Sequence, residues 1–310
     1  MELFIQKEFL DDFYADYNDG PIQQIVKNII SLYGDKKVYV NYELDDFEKL
    51  KAENEFFALI NNTTVPIPVD NIFESIKQSA FKQTLVFTNK EEQWFREMEE
   101  KGAWCFSFQN YQTKIKELIN KMHFKIDLSS KFQNWNAINF SNIPFNFLQI
   151  TDGYILTEKE DFNVNLIPLV QNFIGNKTCK LEIDILVKEI GTRINNEEKK
   201  KEYARKQHSK FNSVFSKLNV SFAIYLSNML SEIDLHDRMV FTNFSILDSG
   251  VGFSIVNRKV SNSQLISESI FEKYTYDRLK RLLKIQSKYI DKLNGSSFQS
   301  SKFYKYPQKK

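Results

Sequence analysis

Several residue types and motifs that define common protein classes are scarce or missing in this sequence. There are only two cysteines, and each lies inside an apolar run, so we interpret Cys105 and Cys179 as small buried side chains in a reducing compartment. No cysteine and histidine cluster has the spacing of a zinc site. Glycine-rich phosphate loops, G-x-S-x-G, HExxH and the dinucleotide fingerprint are also missing, so those enzyme classes are unsupported. We expect no cofactor and no bound metal.

Long apolar runs are missing too. No window approaches the roughly 18 uninterrupted apolar residues of a membrane-spanning helix, so we expect no transmembrane segment. The N-terminus lacks the basic start and apolar run of a signal peptide, which predicts a cytoplasmic protein. Basic and acidic residues nearly cancel, at 42 and 40, so the chain has no overall basic field. Nine glycines and six prolines in 310 residues argue against linkers and disorder.

The sequence does contain many aromatic residues and a regular alternation of strand and helix patterns. A strand-like run at 84–88, a helical pattern at 90–101 and a second strand-like run at 103–108 predict a βαβ unit with parallel strands. Periodicity fades between Lys125 and Ile143, where we place a domain junction. Two further strands are predicted at 145–150 and 153–157.

The predicted fold class is α/β, with two α/β domains whose sheets are largely parallel. The first domain covers residues 1–124 and the second covers 145–260. A basic helical segment follows at 261–310, in which we expect Ser263 to cap one long helix ending near Leu293.

The stretch from Leu235 to Phe253 carries the most chemistry. His236 and Arg238 alternate at the entrance of a predicted strand, so their side chains point the same way. Arginine offers a planar fork of donors to phosphate oxygens, and histidine can donate a proton or attack phosphorus. Gly250 and Gly252 follow in a turn where backbone N–H groups could approach an anion.

This spacing resembles the motif of the phospholipase D superfamily, His-x-Lys, then an aspartate after four residues and Gly-Ser after six more. Here the motif is His236-x-Arg238, Asn243 and Gly250, and the resemblance covers roughly 145–256. It implies that His236 is a catalytic nucleophile and that Arg238, Asn243, Gly250 and Gly252 bind phosphate without a metal. Because only one copy of the motif is present, catalysis would require a homodimer that pairs two His236 side chains.

The motif departs from the family at two positions. Asn243 stands where the family has aspartate, and valine follows Gly250 where the family has serine. An asparagine does not stabilise an imidazolium as a carboxylate does. The site therefore resembles a degenerate member of the superfamily, similar to the membrane-binding C-terminal domain of MIT-domain proteins. A purely structural alternative is a salt-bridge cluster in which His236 and Arg238 pair with Asp234, Asp237 or Asp248.

The N-terminal half loosely resembles PIN-like nuclease domains. Those domains place carboxylates at strand ends to hold Mg²⁺, but the corresponding positions here are Gln6 and Asn89. The acidic residues Glu43, Asp45 and Asp46 are interpreted as charges at a helix N-terminus. We expect this domain to lack metal-dependent nuclease activity.

Basic residues concentrate in two predicted helices. From residue 263 onward, eleven lysines and arginines face four acids, which makes that segment +7. Such a surface suits a phosphate backbone or an anionic membrane, although a solvated helix face is the alternative. The candidate nucleic-acid contacts are Lys199, Lys200, Arg205, Lys206, Lys280, Arg281 and Lys284.

Together these patterns predict a nucleic-acid-binding protein with a degenerate phospholipase D-like site. It could also act as a metal-independent phosphodiesterase or nuclease in a prokaryotic antiviral defence or mobile-element system. The alternative is a non-catalytic module that binds a protein partner or a membrane surface.

Overall fold

A computed structural model of the chain describes residues 1–59, 65–129, 132–157, 162–175, 177, 180–187, 197–226, 238–258, 260, 263–294 and 303–305. The chain divides into two compact units. The first comprises 1–120 with 144–146 and 271–273, and the second comprises 121–143, 147–270 and 274–310. Within the described ranges, no helix has both the length and the apolar character needed to cross a bilayer.

The first unit is built on a five-stranded sheet in which every neighbouring pair of strands is parallel. Its strands are β1 (Glu2–Ile5), β2 (Lys37–Val40), β3 (Ile67–Pro68), β4 (Thr84–Thr88) and β5 (Trp104–Ser107), in the order β3-β2-β1-β4-β5. Every side chain of β4 and of the edge strand β5 is buried, as expected for parallel strands covered on both faces.

Among the described residues, six helices lie between these strands and a seventh follows β5. They are α1 (Lys7–Ala15), α2 (Pro21–Ser31), α3 (Phe47–Glu53), α4 (Glu55–Leu59), α5 (Ile72–Ile76), α6 (Phe95–Glu100) and α7 (Tyr111–Met122). Pro21 begins α2 because its fixed φ and missing N–H suit a first turn, and Val26, Ile29 and Ile30 then form a buried stripe. A short 3₁₀ helix at Leu44–Asp46 precedes α3.

The second unit contains an eight-stranded mixed sheet. Its strands are β6 (Phe124–Asp127), β7 (Phe147–Thr151), β8 (Leu181–Val187), β9 (Val220–Leu226), β10 (Arg238–Thr242), β11 (Ser245–Ser249), β12 (Gln264–Ser269) and β13 (Phe303–Lys305). The order is β13-β9-β8-β7-β10-β11-β12-β6. Only β7, β8 and β9 pair in parallel, and the other pairs are antiparallel. The α/β class is confirmed, but this sheet departs from the predicted parallel arrangement because β10, β11 and β12 form a meander.

Helices cover both faces of the second sheet. They are α8 (Ile167–Ile174), α9 (Glu197–Val214) and α10 (Lys273–Asn294), with a π-helical turn at Phe162–Leu166 and a 3₁₀ turn at Trp135–Ala137. Phe211 of α9 stacks on Phe222 of β9, with ring centroids 3.7 Å apart. On α10, Gln286 donates to Asp184 of β8 at 3.1 Å. Asp184 and Ala223 are register partners on β8 and β9, so their side chains point to the same face of the sheet, whereas Phe222 points to the other face. Helix α10 contacts Asp184 and α9 contacts Phe222, so the two helices lie on opposite faces.

Four sequence expectations differ from the structure. The region predicted as a junction holds β6, which pairs with β12 inside the second sheet. The described residues of the segment 261–310 belong to the second unit, except for 271–273, which belong to the first, so the segment is not a separate element. Ser263 precedes β12 and does not cap a helix, because the backbone of β12 pairs with strands on both sides. The predicted strand at 153–157 is a turn.

Candidate anion-binding site

Arg238 lies at the carboxyl end of the parallel strands. Strand β10 runs antiparallel to β7, and Met239 pairs with Thr151, so the first residue of β10 lies beside the last residues of β7. The chain runs from β7 through β8 to β9 and then returns to the other side of β7 as β10. Such a reversal leaves a crevice outside the carboxyl ends of the strands, which is where open α/β sheets bind ligands.

Asp152 joins the two loops at this crevice. It follows β7 directly and is only 2% exposed. Its Oδ1 accepts a hydrogen bond from the backbone N–H of Tyr154 at 2.9 Å, and its Oδ2 accepts one from the N–H of Phe253 at 2.7 Å. Bonds from N–H groups to a carboxylate are among the stronger protein hydrogen bonds. The buried carboxylate therefore holds the turn after β7 against the glycine loop after β11.

The hydrogen bond from the Tyr154 N–H to Asp152 explains why residues 153–157 form a turn. The oxygen of a side chain that accepts from the N–H two residues later closes an Asx-turn, which competes with strand pairing. The Thr157 hydroxyl donates to the carbonyl of Tyr154 at 2.7 Å and completes the turn. The apolar pattern of this segment gave no indication of that local competition.

Gly252 is required where the loops meet. Its φ is +89°, a backbone conformation that side chains with a Cβ rarely adopt. A Cβ there would lie 2.7 Å from Asp152 Oδ2 and 3.1 Å from Arg238 Cδ. At Gly250, a Cβ would meet only the hydroxyl of Ser263, at 2.9 Å. Gly252 thus allows the side chains of Asp152 and Arg238 to pack closely against the glycine loop, whereas Gly250 contributes little to this packing.

Two further side chains order the glycine loop. Asn165 is buried, and its Oδ1 accepts from the N–H groups of Ile255 at 3.2 Å and Val256 at 3.0 Å. The hydroxyl of Ser249 donates to the carbonyl of Gly252 at 2.5 Å. With Asp152, these bonds anchor the loop at four backbone positions, so it presents a defined surface to a ligand.

Arg238 is half-buried beside this loop. Its guanidinium carbon lies 5.9 Å from the ring centroid of Tyr154, within cation–π range. Within the described part of the chain, no carboxylate forms an ion pair with it. Asp248 pairs instead with Arg278, whose Nη2 lies 2.7 Å from Oδ1. The alternative that Arg238 pairs with Asp248 is therefore wrong, and Asp234 and Asp237 lie outside the described residues.

The remaining predicted members of the motif fall in different places. His236 lies outside the described residues. Asn243 is at the opposite end of β10, about 17 Å from Arg238 at the usual rise of a strand. Its Oδ1 accepts from the backbone N–H of Phe147 at 3.0 Å, and the residue is 2% exposed. The structure thus gives Asn243 a place in the β10–β11 hairpin and does not bring it to the crevice.

The predicted basic contacts divide between two surfaces. Lys199, Arg205 and Lys206 are exposed on α9, and the side chain of Lys200 on the same helix is not described. Because α9 follows β8, its first turn begins at the same edge of the sheet as Arg238. Arg281 and Lys284 are exposed and Lys280 is half-buried on α10, which crosses the other face.

The first unit also has a crevice at its strand reversal, between β1 and β4. Polar side chains fill it: Gln6 Oε1 accepts from the N–H of Asn89 at 2.8 Å, and Gln6 Nε2 donates to Glu92 at 3.3 Å. The Asn89 amide also donates to Asp12. Among the described residues, no three histidine, cysteine or acidic side chains are arranged to hold a metal ion. Gln6 and Asn89, which stand where PIN-like domains have carboxylates, are thus hydrogen-bonded to each other.

Asp152, Tyr154 and Asn165 were missed by sequence reasoning. An Asp-Gly pair directly after a buried strand was the available signal, since such pairs form Asx-turns at strand ends. The role of Asn165 had no comparable local signal, because its partners lie about 90 residues later in the chain.

A scan against models of known protein families found no match. A search of the curated proteins found none either.

Proposed function

We propose that the second unit binds the phosphate groups of nucleic acids, with Arg238 as the central contact. The observation that carries this proposal is a half-buried arginine at the carboxyl ends of the parallel strands that makes no ion pair with the described residues. Arginine presents five N–H donors in a planar fork that matches two phosphate oxygens. Because no carboxylate of the described residues pairs with Arg238, these donors can bind an anionic ligand.

Nucleic acid is favoured over a small anion because further positive charge lies at the same edge. Lys199 lies in the first turn of α9, which begins there, and the exposed Arg205 and Lys206 follow about two turns further along the same helix. Successive phosphates along a strand could engage Arg238 and then these side chains. A homodimer would repeat this row of charges.

Hydrolysis is a further step of the proposal. By the resemblance to phospholipase D-like domains, His236 would attack phosphorus without a metal, and the ester oxygen would leave with a proton from the second His236 of a homodimer. Water would then cleave the phosphohistidine and restore both histidines. A role in antiviral defence stays a prediction from the same resemblance. If purified protein cleaves nucleic acid, His236→Ala should abolish the cleavage, and cleavage at an undiminished rate would exclude His236 as the nucleophile.

Binding is tested with fluorescently labelled single-stranded and duplex DNA and RNA at about 50 mM and about 200 mM salt. Replacing Arg238 with alanine removes a charge-assisted contact worth about 1.5 to 3 kcal/mol, so affinity should fall roughly 10- to 140-fold. The slope of log affinity against log salt should decrease by about one. Arg96→Ala, an exposed arginine on α6, is the matched control and should bind as the native protein does.

Two results would overturn the proposal. One is the absence of binding to any nucleic acid at low salt, and the other is equal affinity for the native protein and Arg238→Ala. Vesicles containing anionic lipid form a separate arm. Binding to vesicles without binding to nucleic acid would favour the membrane-surface alternative.

A further inference from the structure

We infer that the site binds single-stranded nucleic acid, with Tyr154 as the surface on which an unpaired base stacks. The inference rests on the phosphate binding proposed above and specifies its substrate class. Tyr154 is 42% exposed although it lies between buried residues, Gly153 and Ile155. Large aromatic side chains left exposed beside positive charge are the usual stacking surfaces for bases.

The distance between the ring and the charge fits one nucleotide. The Tyr154 centroid lies 5.9 Å from the guanidinium carbon of Arg238. A phosphate held by Arg238 would place the base of the same or the adjacent nucleotide within reach of the ring. Guanidinium planes also stack on bases, so the two side chains can form one continuous surface.

The backbone around Tyr154 is held in place before any ligand arrives. Its N–H donates to Asp152, and its carbonyl accepts from both the N–H and the hydroxyl of Thr157. A ring on an ordered turn loses little conformational freedom when a base binds to it. By contrast, an exposed tyrosine on a frayed segment would lose part of the stacking energy to ordering.

Stacking on Tyr154 discriminates between single strands and duplexes. In a duplex the faces of each base are covered by its neighbours, whereas the bases of a single strand can lie on an aromatic ring. The phosphate contact to Arg238 is available in both forms. We therefore expect single strands to bind more tightly than duplexes of equal length.

The test measures affinity for a labelled single-stranded oligonucleotide, for the matching duplex and for a mononucleotide that competes with the single strand. Loss of a stacked base is worth about 1 to 3 kcal/mol, so Tyr154→Ala should weaken single-strand binding by about 5- to 140-fold. Duplex binding should change by less than about twofold. Tyr154→Phe keeps the ring and should bind single strands within about twofold of the native protein.

Tyr274→Ala is the matched control, because Tyr274 is 69% exposed on α10 of the same unit. It should leave single-strand binding unchanged, and thermal unfolding of each variant verifies that the fold is intact. Equal affinity for single strands and duplexes, or equal losses of single-strand affinity in Tyr154→Ala and Tyr274→Ala, would overturn this inference. Neither result would contradict phosphate binding by Arg238. If neither form binds at low salt, the proposed function itself fails. Competition by the mononucleotide as strong as by the oligonucleotide would assign the site to free nucleotides and overturn the single-strand inference.

Discussion

Gly252→Ala should be among the most damaging single substitutions in the second unit. The new methyl group would force a left-handed backbone onto alanine, at a cost of about 1 to 2 kcal/mol. It would also lie 2.7 Å from Asp152 Oδ2, closer than non-bonded atoms approach. Asp152 is buried and bonded to two backbone N–H groups, so its displacement weakens at least one charge-assisted bond, worth about 1.5 to 3 kcal/mol.

The expected loss of unfolding free energy is therefore about 2.5 to 5 kcal/mol, a large share of the stability of an ordinary domain. For a unit of this size, 1 kcal/mol lowers Tm by roughly 2 to 4 °C, so the transition of the second unit should fall by about 5 to 20 °C. Differential scanning calorimetry of the full chain measures this fall.

Gly250→Ala is the control in the same loop. Its methyl group would approach only the Ser263 hydroxyl, which has no hydrogen-bond partner among the described residues and can rotate away. We expect a change of less than about 1 kcal/mol there. If Gly252→Ala unfolds within about 1 kcal/mol of the native protein, the close approach of Asp152 and Arg238 does not constrain this loop.

Two further predictions concern stability. Asn243→Ala should destabilise the second unit by about 1 to 3 kcal/mol in urea unfolding, because the buried N–H of Phe147 loses its acceptor. Its affinity for nucleic acid should equal that of the native protein. A loss of affinity without a loss of stability would show that Asn243 contacts the nucleic acid. In the first unit, burial lowers the pKa of Lys36 to about 8, below its unfolded value, so folding disfavours the charged amine. Lys36→Met should therefore stabilise the protein by about 1 to 3 kcal/mol at pH 7, and the difference should shrink as the pH rises from about 8 to about 10.5. A difference that is constant across that range would show that Lys36 is solvated.

The elements with strong local signals were predictable from the sequence. Strand β4 matches its prediction residue for residue, because it is a short buried run bounded by polar or turn-forming residues. Helix α2 was predictable from its N-terminal proline and its apolar spacing. Arg238 was identified because it alternates with His236 at the entrance of a predicted strand, in a spacing that resembles the phospholipase D motif.

The sequence by itself therefore determined the α/β class and most element positions, because these depend on side-chain periodicity within a few residues. Only the tertiary structure decided which polar residues meet. Asp152 lies about 100 residues from Phe253 along the chain, yet strand order places the two in one crevice. Asn243 is five residues from Arg238, and the strand between them separates their side chains. Residues a few positions apart on one strand lie far apart because the strand is extended. Residues far apart in sequence come close only where the pairing of strands brings their ends together.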